Sequence, residues 1–316
     1  MESDSSSGEK VLDLVGLLEH YLSVRILRPE TIDRYRQVVR QFHSDVGPLT
    51  LDRIDEPILL HWRDQVLGRA RATTWNYYRR HFRALWRHAL DYGWVHQNPL
   101  ERVSGAPEAR RIKTVSKELI ERALAVLQDP AQRRLEPRWF WEILILTFYY
   151  TGMRRRQAAG LLWQDIRWSE RTIRLREDGS KTRREWDVPI TEGLERPLHD
   201  LYSRTLWVVG ERQMPERQVF DLGLHRGPAR YQGAGIDASQ ISYFFRRLGE
   251  SLGEPISPHR LRHTFGTFIG RQPNPPLRAL QHQLGHTNLS TTMQYVEPDM
   301  GQLRQMVDHL PTPGRS

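Results

Sequence analysis

The residues able to do chemistry gather in the second half of the chain. Near the C-terminus the string Gly285-His286-Thr287-Asn288-Leu289-Ser290-Thr291-Thr292-Met293-Gln294-Tyr295 reads as a short loop and then a helix that ends in an exposed phenol. Ser290 is the expected N-cap of that helix. A tyrosine hydroxyl, with a reference pKa of about 10, is a weak nucleophile at neutral pH. To attack a phosphodiester it needs cations and hydrogen-bond donors around the phosphate, and an acid to protonate the departing oxygen. Three earlier patches offer such groups: Thr151-Gly152-Met153-Arg154, Ser180-Lys181-Thr182 and His259-Arg260-Leu261-Arg262-His263.

Singly, each has a plainer reading. Arg154 alone is a surface arginine, Lys181 a solvated charge in a hairpin, Tyr295 a half-buried tyrosine. His259 and His263 stand four apart on a helix, a spacing that zinc proteases use. Arg260, however, stands where that motif has its glutamate, and the neighbouring cations oppose a metal. His263 reads as structural. Taken in order, Arg154, Lys181, His259, Arg262, His286 and Tyr295, with the words T-G-x-R, H-x-L-R-H-T and L-G-H…Y, resemble the tyrosine recombinase (phage integrase) family in its Xer-like two-domain layout. The resemblance runs over about residues 11–310.

That resemblance implies a site-specific DNA recombinase. Tyr295 would attack the scissile phosphate, form a 3′-phosphotyrosine and free a 5′-hydroxyl. Arg154 and Arg262 would hold the non-bridging oxygens. Lys181 would protonate the leaving 5′-oxygen, His259 would assist proton transfer from the tyrosine, and His286 would hydrogen-bond the phosphate. No metal, ATP or other cofactor is implied, because the protein link conserves the energy of the phosphodiester. The implied partners are double-stranded DNA and three further copies of the chain. A homo-tetramer on two DNA sites would exchange strands through a Holliday junction, in integration, excision or resolution, with room for accessory or directionality proteins. One departure stands out: three residues after Arg154 the family usually carries a carboxylate, and here Gln157 replaces it. The expected consequence is a more positive site or a less rigidly held Arg154.

Composition agrees with a nucleic-acid partner. The 316 residues suggest two domains, and the net charge of +9 comes from 47 basic residues, mostly arginine. There are no cysteines, which removes disulfides, thiolate zinc sites and thiol nucleophiles and suits a reducing, nucleoid-associated cytoplasmic location. Residues 1–10 are polar and acidic, and read as a disordered tail rather than a signal. The most apolar run, 139–152, contains Glu142 and is too short to span a bilayer.

The elements that must position the six residues follow from periodicity. Residues 11–100 read as four helices, which the resemblance implies are a core-binding (SAM-like) DNA-binding domain. The first has Val11, Leu14, Val15, Leu18 and Leu22 on one face. The fourth, about 73–92, carries Arg79, Arg80, Arg83 and Arg87 opposite its apolar side, a stripe suited to DNA phosphates or simply to solvent. Residues 101–114 read as a linker. Residues 115–301 would, by the same resemblance, be the α+β catalytic domain. A helix over 139–150 should be central to its core, Gly152 should end that helix, and strands over 171–190 should turn at Asp178-Gly179, next to Lys181. A later helix bears Ile241, Phe244, Phe245, Leu248 and Leu252 inward, with Arg246 and Arg247 outward toward DNA. Ser257-Pro258 opens the His259 helix. The expected class is therefore mainly α with a small β-sheet. Residues 302–310 form an amphipathic tail too short to stand alone, which would dock on a neighbouring protomer. Two other readings stay open: a type IB topoisomerase-like enzyme, and a catalytically idle DNA-binding protein.

Overall fold

The computed structural model describes residues 13–108, 113–176, 184–225, 235–272 and 274–296, together with 301, 304, 307 and 308. The chain divides into two compact units, 1–110 and 111–316. Lys181, the 1–10 tail and most of the 302–316 tail lie outside the described residues.

The first unit is helical: α1 (Leu14–Ser23), α2 (Pro29–Val46), α3 (Glu56–Arg69) and α4 (Ala72–Asp91). Aspartates start two of them. The Asp13 side chain accepts from Gly16 N at 2.7 Å and Asp55 from Ile58 N at 3.0 Å, each satisfying an otherwise orphaned amide. The face of α1 is rotated from the expected one: Leu14, Leu17, Leu18 and Tyr21 are buried, while Val15 is exposed. Trp62, fully buried, fills the centre with its ring edge-on to Phe42 and its indole N–H donating to Asp45 at 2.8 Å.

The stretch expected to begin the linker is partly core. Leu100 and Val103 are fully buried in this unit. Side chains of α4 hold the backbone that follows: Trp75 donates to Ser104 O at 3.1 Å, and Asn76 both donates to Ala106 O and accepts from Ala106 N at 2.8 Å. Arg79 belongs to this clasp. It is half-buried and donates to Val103 O, so it does not share the solvent face of Arg80, Arg83 and Arg87, which are exposed.

The second unit is built around α6 (Arg138–Thr151), with Phe140, Trp141, Leu144, Ile145 and Phe148 buried. Around it lie α5 (Lys117–Gln128), α7 (Arg155–Ala159), α8 (Glu192–Val209), α9 (Leu222–His225), α10 (Ala238–Leu252), α11 (Pro258–Gly270), α12 (Leu277–Leu284) and α13 (Leu289–Met293). A three-stranded antiparallel sheet runs β1 (Ile166–Arg167), β2 (Thr172–Arg176), β3 (Glu185–Pro189), with Ile173 opposite Val188 and Leu175 opposite Trp186. The class is as expected, mainly helical with a small sheet; the two-residue β1 carries too little pattern to be read from sequence. No described helix is long and apolar enough to cross a membrane.

Candidate active site

Four segments meet at Arg262. It lies on α11, whose N-terminus is capped by Ser257 accepting from Arg260 N at 3.2 Å. The helix is tied to the start of the unit by Thr264, which accepts from Val115 N at 2.8 Å. Arg262 is buried, and its guanidinium donates to Gly152 O at 2.8 Å, Leu284 O at 2.6 Å and His286 Nε2 at 2.9 Å. One side chain thus joins the turn after α6, the end of α12 and the loop before α13.

Two glycines make that convergence sterically feasible. Gly152 ends α6 at φ +63°, where a Cβ would press on Leu284 and Phe265 at 3.1 Å. Gly285 ends α12 at φ +60°, with the Trp186 ring where its Cβ would be. A side chain at either position would be strained by the left-handed backbone and by its neighbours. The Trp186 indole donates to Gln283 O at 3.3 Å, and Gln283 donates to Thr151 O at 3.0 Å. The sheet is thereby fastened to the loop that carries His286.

The electrostatics are those of a cation without a counter-ion. Among the described residues no carboxylate pairs with Arg262 or Arg154. Burial, then the nearby Arg154 charge, bring the Arg262 pKa down to about 10, which still leaves it charged at neutral pH. Burial, Arg262, Arg154 and His263 hold His286 at about 4, so it is neutral. Its tautomer follows from its partners. Arg262 can only donate, so Nε2 accepts, and Nδ1 carries the proton that it gives to Thr292 Oγ1 at 3.0 Å. Thr292 had no distinguishing signal in the sequence beyond its place in a threonine-rich turn.

Tyr295 is not exposed, contrary to expectation. Only 2% of its surface is accessible. Its ring lies nearly parallel to His286, with centroids 6.2 Å apart, and 5.5 Å from His263. It rests on two glycines of α11: a Cβ at Gly266 would sit 3.0 Å from the ring, and one at Gly270 would collide with the Tyr295 carbonyl. Burial raises the phenol pKa, against the opposing pull of Arg262, Gln294 and Arg154. The cap also differs, since Asn288 rather than Ser290 begins α13 and accepts from Ser290 N at 2.9 Å.

His259 lies at the solvent edge of the group. Partial burial, Arg262 and Arg154 lower its pKa. Its Nε2 is 2.8 Å from His263 Nε2. Gln157 is buried and bonded at both ends of its amide: Oε1 accepts from Arg154 N at 2.7 Å and Nε2 donates to Arg176 O at 3.1 Å. It fixes the backbone of Arg154 rather than its guanidinium. The structure therefore gathers Arg154, His259, Arg262, His286 and Tyr295, while Lys181 lies outside the described residues. Arg246 and Arg247 both approach the exposed Tyr243 ring, at 5.0 and 5.5 Å, and Arg155 bonds Ser242 on the same helix. Arg246 also pairs with Glu250 at 3.4 Å, which offsets part of its charge.

The model of the phage integrase family matches residues 113–302. The chain belongs to that family, the tyrosine recombinases. It is 31% identical over 309 residues to a XerC tyrosine recombinase of Pseudomonas syringae, covering 95% of this chain and 64% of that protein. It is 32% identical over 305 residues to one of Pseudomonas aeruginosa, covering 92% and 70%. The chain thus spans about two thirds of the length of these relatives. Its fold is similar to that of a lambda integrase tetramer bound to a Holliday junction, with a TM-score of 0.68, 16% identity, and coverage of 92% of this chain and 78% of that one.

Proposed function

We propose that this tyrosine recombinase cuts and rejoins double-stranded DNA through a covalent 3′-phosphotyrosine at Tyr295. The observation that carries the reading is a buried, charged Arg262 with no carboxylate partner among the described residues, set beside a tyrosine and a neutral histidine. A buried cation of this kind is costly unless an anion completes it, and a DNA phosphate supplies that anion. The phosphate oxygen would take the Arg262 N–H now given to His286. Arg154 would hold a second oxygen, and both guanidiniums would stabilise the charge that builds on phosphorus. The phosphorus–tyrosine bond forms as the bond to the 5′-oxygen breaks. Lys181 returns a proton to that oxygen, and His259 assists proton movement at the nucleophile.

Strand exchange between two sites calls for a tetramer and a Holliday junction intermediate, as the junction-bound lambda integrase tetramer has. The catalytic unit offers a surface for such assembly. An apolar groove of about 780 Å³ is lined by Val115, Ile120, Tyr149, Phe265 and Phe268, the last 70% exposed. We place the 302–310 tail of a neighbouring protomer there. Deleting 302–316 should abolish assembly and strand exchange while leaving DNA binding; unchanged exchange would end that part of the reading.

The primary test is a covalent trap. The protein is incubated with sheared host and replicon DNA in EDTA, denatured in SDS, and the attached DNA sequenced, with Tyr295→Phe alongside. Adducts that require Tyr295 support metal-free transesterification and reveal the target site. Tight DNA binding with no adduct would favour the idle binder, and relaxation of any plasmid without two-site recombination would favour the topoisomerase-like reading.

A further inference from the structure

His263 has no place in the chemistry above, yet its surroundings are unusual for a structural histidine. It sits one turn after His259 on α11, half-buried, with its ring edge-on to that of His259 at 4.1 Å between centroids. The two Nε2 atoms are 2.8 Å apart, so one donates and the other accepts. The other nitrogen of His263, Nδ1, is buried and has no hydrogen-bond partner among the described residues. The groups facing the pair are Arg262 on their own helix, Arg154 at the start of α7, His286 in the loop before α13, and Tyr295 after α13. None is a carboxylate.

These facts decide where the protons sit. Burial, His259 and Arg262 keep His263 neutral near pH 7, with a pKa of about 4. A neutral imidazole carries one N–H. Were it on Nδ1, a donor would be buried without an acceptor. Were it on Nε2, a bare nitrogen would be buried instead, and orphaned donors are the rarer of the two in protein interiors. The proton therefore belongs on Nε2 of His263 and is donated to Nε2 of His259. Only Nδ1 of His259 is then left to meet a substrate, and in the neutral ring that nitrogen bears the hydrogen.

We propose that His263 is a positioning residue that selects the tautomer of His259, so that His259 meets the scissile phosphate as an Nδ1–H donor. The proposal rests on the reading of His259 as part of the active site and replaces the proton-transfer role given to it above with that of a donor at a non-bridging oxygen, the proton of Tyr295 then leaving to water. It gives the second histidine of the H-x-L-R-H-T string a chemical purpose that its spacing alone does not reveal.

Two variants separate this from packing. His263→Phe keeps bulk and removes the donor; His263→Gln keeps an N–H donor near the same place. Nitrogen-15 spectra of histidine-labelled protein at pH 7 should show His259 protonated on Nδ1 and bare on Nε2 in the wild type and in His263→Gln. In His263→Phe that pattern should be lost. Adduct formation on the DNA recovered by the covalent trap should fall about tenfold in His263→Phe, the scale of one hydrogen bond, and stay within about threefold in His263→Gln. A wild-type His259 protonated on Nε2 would overturn the proposal. So would a His263→Phe protein in which His259 keeps the wild-type Nδ1–H pattern, or equal losses in both variants. His259→Ala at the wild-type rate would instead remove His259 from the site, whatever His263 does.

Discussion

Each unit of the molecule contains a cluster of histidines and tyrosines, and we propose that only one of them is a site. In the first unit His20 Nδ1 and His88 Nε2 are 3.0 Å apart, the Tyr21 and Tyr35 hydroxyls bond at 2.9 Å, and Tyr92 and Trp94 close the group. In the second, His259 and His263 pair at 2.8 Å beside His286 and Tyr295. Histidine density, burial and lowered histidine pKa values are common to both. The difference is charge. The cation of the first cluster, Arg25, lies over the face of the Tyr21 ring at 4.6 Å, and Asp91 pulls the His88 pKa upward against burial. The second cluster holds a buried guanidinium, with a second one beside it and, among the described residues, no acid to balance either. On the proposed function, the unbalanced positive charge marks the reactive cluster.

The strongest way to break this comparison is to remove that charge. Arg262→Ala should reduce adduct formation by about a thousandfold, the upper scale for losing a transition-state donor. It also strands Gly152 O, Leu284 O and His286 Nε2, each at about 1–3 kcal/mol if left unpaired. Arg262→Lys, which retains a charge but not the fork, separates lost folding from lost chemistry. The counterpart in the first unit, His88→Phe, should cost about 1–2 kcal/mol of stability and leave the adduct rate unchanged. Comparable losses of rate in both would mean that the clusters are not different in kind.

Gln157→Glu sharpens the contrast at one atom. By family pattern a carboxylate there should improve the site. The geometry says otherwise, because the Nε2 now donating to Arg176 O would become an oxygen facing an oxygen. We expect adduct formation to fall about tenfold, as Arg154 shifts with its backbone anchor. A faster Gln157→Glu enzyme would show that charge outweighs this bond.

Acid should weaken both units, the second more steeply. His263 and His286 titrate at about 4 when folded, against about 6.5 in an unfolded chain. Between those values the unfolded chain binds more protons, so stability falls as the pH drops from about 6.5 toward 4. His225, also held at about 4 mainly by burial, adds to the loss in the same unit. In the first unit the fall should involve His88 and His81, lowered chiefly by burial. Hydrogen exchange at pH 7 and pH 5 would resolve the units; equal pH dependence would contradict the comparison.

Much of this arrangement was legible in the sequence because it is local. The apolar period placed the four helices of the first unit, Ser257 marked a helix start, and Gly152 marked the end of the central helix. The burial of Tyr295 was not legible. It depends on Gly266 and Gly270, whose missing side chains matter only once α11 lies against the tyrosine. Arg79 was misplaced for a similar reason: helical spacing put it on the basic stripe, but the 103–106 backbone returns to cover it. The tautomer of His286 required its partners, Arg262 and Thr292, which are distant in sequence or chemically ordinary.

The mildest test falls on the tyrosine pair. Tyr35→Phe removes the bond between two buried hydroxyls and leaves the Tyr21 hydroxyl without its partner, which should cost about 1 kcal/mol. Burial and Tyr21 both raise the Tyr35 pKa, so this phenol is less available as a nucleophile than an ordinary tyrosine. Tyr295 is also raised by burial, but Arg262 and Arg154 pull it back down. The trapped adduct should therefore form at the wild-type rate in Tyr35→Phe, with only the melting temperature lowered. If Tyr35→Phe slowed the adduct as well, the first unit would have to act on the chemistry itself, and the absence of a balancing acid would no longer suffice to tell the two clusters apart.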